Sequence, residues 1–280
     1  MATVALIYDF DGTLAPGNMQ EHTFLPHLGI DKESFWTEAN AMAVAHDMDG
    51  ILAYMQLMLH KAQERKVSVK RTDFMKFGQG ITFFPGVETF FKRINSFAAN
   101  LNLQIDHHIV SSGLREFILG TPIAHNFRNI FASGFKYDVH GAAVWPALAI
   151  NYTSKTQYLF RINKGIDNSY DNALINKFMP ESEKPVPFSR MIYIGDGDTD
   201  VPAMKMVKYQ GGATVAVYNP DTTISSTTKS QRQVCLEMIE QKRVDYIAAA
   251  DYSENSPLFL LIKNLITQIH LKEDLKDFKT

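Results

Sequence analysis

Two spacings of apolar residues alternate along most of the chain. Short apolar runs, most of them followed by Gly, Ser or Asp, occupy residues 4–8, 105–110, 191–194, 214–217 and 244–248. Longer segments with helical spacing lie between them, such as residues 87–101 and 156–162. Buried strands that alternate with helices are typical of a parallel sheet with helices on both faces. The pattern therefore predicts an α/β fold.

Residues 17–83 interrupt this alternation, because no strand pattern occurs in them. Residues 34–46 and 50–66 are rich in Ala, Met, Leu, Gln and Glu at helical spacing. One apolar stripe, which we interpret as helix packing, consists of Leu52, Met55, Leu59 and Ala62. We therefore expect a small all-helical domain, residues 17–83, inserted into a discontinuous α/β core domain made of residues 1–16 and 84–280.

The C-terminal residues 256–278 have the pattern of an amphipathic helix. Its apolar face consists of Leu258, Leu261, Ile262, Leu265 and Ile269. Such a face usually packs on the core of its own domain, so we favour that over a partner or a membrane surface.

The charge, cysteine content and apolar runs of the chain argue against several kinds of partner and environment. The net charge of −2 gives no basic field for nucleic acid or anionic lipid, so we expect neither as a partner. The single cysteine, Cys235, cannot form an internal disulfide. No apolar run approaches the ~18–20 residues that span a bilayer. We therefore expect a cytoplasmic protein.

Carboxylates follow two of the predicted strands at the point where each strand ends. Asp9 and Asp11 come directly after residues 4–8, and Asp196 and Asp200 follow residues 191–194. The carboxyl ends of parallel strands face the crevice in which open α/β sheets bind ligands. Carboxylates crowded there repel each other unless a cation joins them, and Mg²⁺ prefers oxygen ligands. The sequence therefore predicts a magnesium site.

A helix-loop-helix calcium site would also use closely spaced acidic residues. Such a loop requires Gly at position 6 and Glu at position 12. Counted from Asp9, these positions are Leu14 and Gln20; counted from Asp196, they are Val201 and Val207. Both loops fail this requirement.

Four segments in order resemble the motifs of the haloacid dehalogenase-like hydrolase superfamily. They are the sequence DFDGTL from Asp9, the sequence IVSSG from Ile109, a lysine that opens a helix, and the sequence GDGDTD from Gly195. The resemblance covers roughly residues 1–16 and 84–250. It implies a Rossmann-like parallel sheet, and the helical segment 17–83 lies where phosphatases of this superfamily, such as phosphoserine phosphatases, carry a helical cap.

The resemblance also implies roles for the acidic residues. Asp9 would attack phosphorus and form an aspartyl-phosphate, and Asp11 would act as the general acid and base. Mg²⁺ would be held by Asp9, the backbone carbonyl of Asp11, and Asp196. Asp200 would bind the ion directly or through water.

The two middle segments would bind the phosphate group. By resemblance, the hydroxyl of Ser111 and the backbone N–H groups of Ser112 and Gly113 hold its oxygens. The lysine that neutralises the phosphate is either Lys155 or Lys164. We favour Lys155, because it opens the predicted helix, whereas Lys164 lies near the end of that helix.

These assignments predict a phosphomonoester hydrolase that acts on a small phosphorylated metabolite. Phosphoryl transfer to an acceptor other than water shares the first half-reaction and stays open. A dehalogenase of the same superfamily would need neither Asp11 nor the second acidic loop, so both features argue against that activity. A non-catalytic binding module would not need a nucleophile, an acid and metal ligands together, and this chain has all of them. The oligomeric state is also open.

One position departs from the phosphoserine phosphatase pattern. Those enzymes have a substrate-binding glutamate nine residues after the nucleophile, whereas this chain has Asn18 there and its nearest glutamate is Glu21. A neutral amide cannot pair with an ammonium group as a carboxylate does. We therefore expect a substrate that is less charged than phosphoserine.

Overall fold

The structure is a computed structural model that describes residues 1–221 and 230–275. The strands of its sheet are β1 (Ala2–Tyr8), β2 (Leu103–Leu114), β3 (Phe127–Tyr137), β4 (Ala143–Leu148), β5 (Met191–Gly195), β6 (Ala213–Tyr218) and β7 (Tyr246–Ala249). The helices of the first half of the chain are α1 (Met19–His22), α2 (Phe24–Leu28), α3 (Lys32–His46), α4 (Gly50–Glu64), α5 (Arg71–Gly78) and α6 (Val87–Asn100). Those of the second half are α7 (Arg115–Gly120), α8 (Ser154–Lys164), α9 (Asn172–Asn176), α10 (Val201–Tyr209), α11 (Gln231–Glu240) and α12 (Pro257–Asp274).

The strands form one seven-stranded sheet in the order β4-β3-β2-β1-β5-β6-β7. All neighbours are parallel except β3 and β4. Tyr8, the last residue of β1, pairs with Ile109 on one side and with Ile194 on the other. The carboxyl end of β1 therefore lies between those of β2 and β5, and the predicted α/β fold is confirmed.

Two strands, β3 and β4, were not predicted by the apolar pattern. Two adjacent polar residues interrupt the start of β3, and in the fold both have partners: Arg128 bonds to Asp106 at 2.7 Å, and Asn129 bonds to Asp167 at 2.8 Å. The edge strand β4 contains Pro146, and its Trp145 is 65% exposed. Because the polar residues of β3 are satisfied by tertiary contacts and β4 is largely exposed, neither strand has a continuous apolar signature.

The segment 17–83 contains α1 to α5 and one isolated bridge between Lys70 and Ala142. Local sequence sets the starts of its two long helices, because Asp31 accepts from Ser34 N and Asp49 accepts from Ile51 N and Leu52 N. The stripe on α4 is divided. Met55 and Ala62 are fully buried, whereas Leu52 and Leu59 are partly exposed.

Helix α12 packs on the same side of the sheet as α6, as the amphipathic pattern predicts. Leu258, Ile262, Leu265 and Ile269 are buried in one cluster with Phe90 and Ile94 of α6. The helix ends at Asp274, so the last predicted residues, 276–278, lie outside the described part of the chain.

Within residues 1–221 and 230–275, no helix has the length and apolar character needed to cross a bilayer.

Candidate active site

The acidic loop that follows β1 turns sharply into a cavity at the carboxyl edge of the sheet. Asp9 N donates to Ile194 O at 2.9 Å, which fixes the loop to the end of β5. Gly12 has a φ of +73°, and a Cβ atom there would lie 2.1 Å from Asp196 Oδ2. Only glycine combines this backbone conformation with so close an approach. Gly12 therefore allows the two acidic loops to meet.

Three carboxylates gather at this meeting point. One oxygen from each of Asp9, Asp196 and Asp200 can be chosen such that all three lie within 4.8 Å of one another. Burial raises the pKa of Asp196 well above its usual value, and the charges of Asp200 and Asp9 raise it further. Asp200 is completely buried, and its Oδ2 has no hydrogen-bond partner among the described residues. A hard cation would relieve both the repulsion and the unsatisfied oxygen, so the donor set fits a metal ion such as Mg²⁺.

Asp11 lies beside this cluster rather than in it. Its Oδ1 accepts from the backbone N–H of Met19 at 2.9 Å. Burial and the neighbouring Asp9 carboxylate raise the pKa of Asp11 well above its usual value. The predicted metal contact of this residue is its backbone carbonyl, which leaves the carboxyl group available for proton transfer.

Lys155 lies beneath the cluster and joins two of its members. Its Nζ is 2.8 Å from Asp9 Oδ2 and 2.7 Å from Asp200 Oδ1, and the side chain is completely buried. Burial alone would lower the pKa of Lys155, but the two carboxylates outweigh this effect and raise the pKa above its usual value. The lysine therefore carries a positive charge next to the predicted nucleophile.

Lys164, the alternative lysine, lies at the other end of α8. Its Nζ donates to the carbonyl oxygens of Ile175 at 2.6 Å and Lys177 at 2.7 Å. These bonds tie α8 to the C-terminal end of α9. The structure therefore brings Lys155, and not Lys164, to the carboxylates.

The end of β2 forms the third side of the site. Ser111 is fully buried, and its Oγ accepts from Gly113 N at 3.1 Å. A Cβ atom on Gly113 would lie 2.9 Å from Asp11 Oδ2, so a side chain there would crowd the site. The strand extends to Leu114, which places the serines inside the end of the strand rather than after it.

The helical segment covers one side of the site. Tyr54 on α4 donates its hydroxyl to Ser112 O at 2.8 Å, and its ring meets that of Trp36 on α3 with centroids 5.6 Å apart. Glu21 on α1 accepts from Asn18 Nδ2 at 2.6 Å and from Trp36 Nε1 at 2.8 Å. A direct hydrogen bond therefore links this segment to the predicted phosphate-binding residues.

The cavity at this site has a volume of about 540 Å³. It is lined by the predicted residues Asp9, Asp11, Ser111, Ser112, Gly113 and Asp196, together with neutral side chains that include Asn18, Gln20, Trp36, Asn40, Tyr54, Asn151, Tyr152 and Gln231. Among its described lining residues there is no lysine, arginine or glutamate. A larger cavity of about 770 Å³ lies between α4 and β4, but none of the predicted site residues lines it. Chemistry rather than volume therefore identifies the candidate site.

Sequence reasoning assigned no role to several residues at this site, among them Tyr193, Trp36 and Tyr54. Tyr193 donates to Asp200 Oδ1 at 2.7 Å from inside β5, and Trp36 and Tyr54 line the cavity from the helical segment. Tyr193 had one signal, a polar tip within an otherwise apolar strand that leads into an acidic loop. The two aromatic residues of the helical segment had none that separated them from helix packing.

Comparisons with known proteins agree with this fold. The family described as "Putative Phosphatase" matches residues 4–234. A Borreliella burgdorferi protein described as "Uncharacterized protein" is 29% identical over 91% of this chain and 94% of its own length. A solved HAD family hydrolase from Salmonella enterica serovar Typhi has a TM-score of 0.55 at 13% identity, covering 93% of this chain and 70% of that one. A substrate-bound phosphoserine phosphatase has a TM-score of 0.54 at 15% identity, covering 95% of this chain and 99% of that one.

The fold is that of the haloacid dehalogenase-like hydrolases, and the resemblance found in the sequence is confirmed. Since the family match spans more than half of the chain, the protein belongs to this phosphatase family. It is therefore a hydrolase, and its substrates belong to the phosphorylated compounds.

Proposed function

We propose that this protein is a Mg²⁺-dependent phosphomonoester hydrolase that acts through an aspartyl-phosphate on Asp9. The observation that carries the proposal is the arrangement around Asp9. Its carboxylate shares one cluster with Asp196 and Asp200, and Lys155 Nζ lies 2.8 Å from its Oδ2. Mg²⁺ held by Asp9, Asp196, Asp200 and the backbone carbonyl of Asp11 would offset the repulsion between an anionic nucleophile and an anionic phosphoryl group.

In the first half-reaction, a carboxylate oxygen of Asp9 attacks phosphorus, and the bond from phosphorus to the leaving oxygen breaks. Asp11 donates its proton to that oxygen, so the leaving group departs as a neutral alcohol. Ser111 and the backbone N–H groups of Ser112 and Gly113 hold the phosphoryl oxygens, and the Lys155 ammonium stabilises the charge that develops on them.

In the second half-reaction, water attacks the phosphorus of the aspartyl-phosphate. Asp11, now a carboxylate, takes the proton of that water, and the bond between phosphorus and Asp9 breaks. Inorganic phosphate is released, and both aspartates return to their starting states. One residue therefore serves as acid and then as base.

We further propose that residues 17–83 act as a cap domain over a core domain made of residues 1–16 and 84–280. The helices of this segment supply one side of the cavity, while the metal and phosphate ligands come from the ends of β1, β2 and β5. The cap would exclude water and select the leaving group.

The neutral lining supports a small substrate with an uncharged leaving group. The predicted ammonium ligand of phosphoserine phosphatases is replaced by Asn18, and the carboxylate of Glu21 is engaged by Asn18 and Trp36. We therefore expect kcat/KM for uncharged alkyl or sugar phosphates to exceed that for phosphoserine. A ten-fold or greater preference for phosphoserine would contradict this part of the proposal.

Hydrolysis of a small aryl phosphate with and without Mg²⁺ tests the reaction itself. Turnover should stop when the ion is chelated and return when Mg²⁺ is added in excess. Rapid acid quenching during turnover should trap a phosphoryl group on the protein that is stable in acid and released by alkali. Full activity in excess chelator would overturn the metal-dependent mechanism.

Asp11→Asn separates the acid from the nucleophile. The variant should slow turnover of alkyl phosphates by about 10²–10⁴-fold, the usual contribution of general acid–base catalysis. The loss should be smaller for an aryl phosphate with an acidic phenol, because that leaving group needs less protonation. Equal losses for both substrates would remove Asp11 as the acid.

A further inference from the structure

Glu21 is hydrogen-bonded to two cavity-lining residues of the cap. The single oxygen Oε1 accepts both from Asn18 Nδ2 at 2.6 Å and from Trp36 Nε1 at 2.8 Å. Asn18 and Trp36 line the catalytic cavity, whereas Glu21 is not among its lining residues. The Glu21 carboxylate therefore lies behind the surface of the cavity and hydrogen-bonds Asn18 and Trp36, which form part of that surface. We call this part of the cavity surface the wall.

The second carboxylate oxygen of Glu21, Oε2, forms only a weak ion pair. Lys32 Nζ is 3.9 Å from Oε2, and the Lys32 side chain is 61% exposed, so this ion pair is largely screened by water. The bonds to Asn18 and Trp36 are shorter and involve partly buried groups. The geometry of the wall therefore depends on Oε1 and not on the charge shared with Lys32.

This arrangement fixes the orientation of the Asn18 amide. Only its NH₂ group can donate to a carboxylate, so the NH₂ group is directed to Glu21 and the carbonyl oxygen Oδ1 is left as the free acceptor. Within the described residues, Oδ1 has no partner of its own. The wall therefore offers a hydrogen-bond acceptor to the ligand and no charge.

The wall continues from Trp36 to the phosphate-binding residues. The Trp36 indole meets the Tyr54 ring edge-on, and the Tyr54 hydroxyl donates to Ser112 O at 2.8 Å. A shift of the indole would therefore disturb the ring that is bonded to the phosphate side of the cavity. Glu21 is thereby connected, through Trp36 and Tyr54, to the predicted phosphate-binding residue Ser112.

We propose that Glu21 is a positioning residue that sets substrate choice by holding Asn18 Oδ1 and the Trp36 ring against the leaving group, which carries a hydroxyl or other uncharged donor. This proposal rests on the proposed function, since it concerns the substrate of the same site. It differs from a role in which the Glu21 carboxylate itself binds a cationic substrate.

Two substitutions separate the two roles. Glu21→Gln keeps an acceptor oxygen at the Oε1 position and removes the charge, whereas Glu21→Ala removes both. Glu33→Ala is the matched control, because Glu33 is an exposed glutamate in the first turn of the neighbouring helix α3. We would measure kcat and KM for three alkyl phosphates of equal length that end in a methyl, a hydroxyl or an ammonium group.

The wild-type enzyme should prefer the hydroxyl substrate to the methyl one by about three- to ten-fold in kcat/KM, as expected for one added hydrogen bond. Glu21→Gln and the Glu33→Ala control should keep this preference. Glu21→Ala should lose it, mainly through a higher KM. If the ammonium substrate is best, and Glu21→Gln loses that advantage as completely as Glu21→Ala, Glu21 is a direct cation ligand and the proposal is wrong.

Fluorescence tests the same proposal without any turnover. Trp36 and Trp145 are the two tryptophans of the chain, so Trp145→Phe leaves Trp36 as the sole indole emitter. In that background, Glu21→Ala should shift the Trp36 emission and increase its quenching by iodide, while Glu21→Gln should change neither. An unchanged spectrum in Glu21→Ala would overturn the proposal even if the enzyme is active. If the wild-type protein does not hydrolyse an aryl phosphate at all, the proposed function is overturned instead.

Discussion

The core side of the cavity carries buried charges, whereas the cap side carries neutral amides and aromatic rings. On the core side, Asp9, Asp196 and Asp200 meet around Lys155 at the ends of parallel strands. On the cap side, Asn18 and Trp36 each donate a hydrogen bond to Glu21, and Tyr54 donates one to the backbone carbonyl of Ser112 on β2. Buried charge needs fixed partners, which a sheet provides, whereas neutral groups can be exchanged at lower cost. The proposed function thus assigns chemistry and substrate choice to different parts of the fold.

Asp9→Asn should break the core side most completely. An amide is a very poor nucleophile, so turnover of every phosphomonoester should fall by about 10⁴-fold or more. No acid-stable phosphoryl label should appear on the variant, and circular dichroism should show that it is folded. A variant with a near-normal rate would remove Asp9 as the nucleophile.

The two lysines of α8 should differ in the property that they affect. Lys155→Ala should reduce kcat by about 10²–10³-fold, the usual cost of losing one preorganised group that stabilises transition-state charge. Lys164→Ala should leave kcat within about two-fold of wild type and lower the free energy of unfolding by about 1–3 kcal/mol, because two carbonyls lose a charged donor. The reverse order in kcat would show that Lys164 is the phosphate-neutralising residue.

Two buried histidines on β2, the strand that carries Ser111, should make the stability of the core depend on pH. Burial lowers the pKa of His107 to about 3 and the pKa of His108 to about 4. Histidine in the unfolded chain titrates near 6.5, so the unfolded state binds more protons below that pH. The contribution of these residues to stability is therefore complete above about pH 6.5 and is lost as the pH falls towards 4, at up to about 1.4 kcal/mol per unit for each histidine.

Urea unfolding at pH 7.5, 6.0 and 5.0 would measure this loss. His108→Leu should flatten the pH dependence, because both ring nitrogens of His108 are buried without a partner among the described residues. His46→Leu, at an exposed position on α3, is the control and should leave the pH dependence unchanged. A His108→Leu variant as acid-sensitive as wild type would contradict the assignment.

Tyr54→Phe should have the smallest effect and should act on the cap side alone. It removes the hydroxyl that donates to Ser112 O but keeps the ring that meets Trp36. Loss of one neutral hydrogen bond should raise KM by about two- to ten-fold, with little change in the rate of aryl phosphate turnover at saturation. A loss in kcat as large as that of Asp11→Asn would mean that the two sides are not separable.

Much of the core side was predictable because its signals are local. A short apolar run that ends in Asp9, Asp11 and Gly12 identifies a strand, a turn and a crowded pair of carboxylates without any knowledge of the fold. Lys155 was favoured over Lys164 for its place at the start of a helix. The helical nature of residues 17–83 was equally clear from spacing. By contrast, the limits of the cap as a domain and the catalytic roles of the site residues stay predictions that the experiments above test.

The sequence by itself determined which residues carry charge, that apolar runs lead into the two acidic loops, and that Gly12 stands where a turn is needed, because these properties depend on neighbours along the chain. Only the tertiary structure decided that Tyr193 bonds to Asp200, that Tyr54 reaches Ser112, and that Glu21 holds Trp36 fifteen residues away. Each of these contacts joins polar atoms on different elements or loops. Their meeting depends on how helices and strands pack in three dimensions, and the spacing of residues along the chain does not encode that packing.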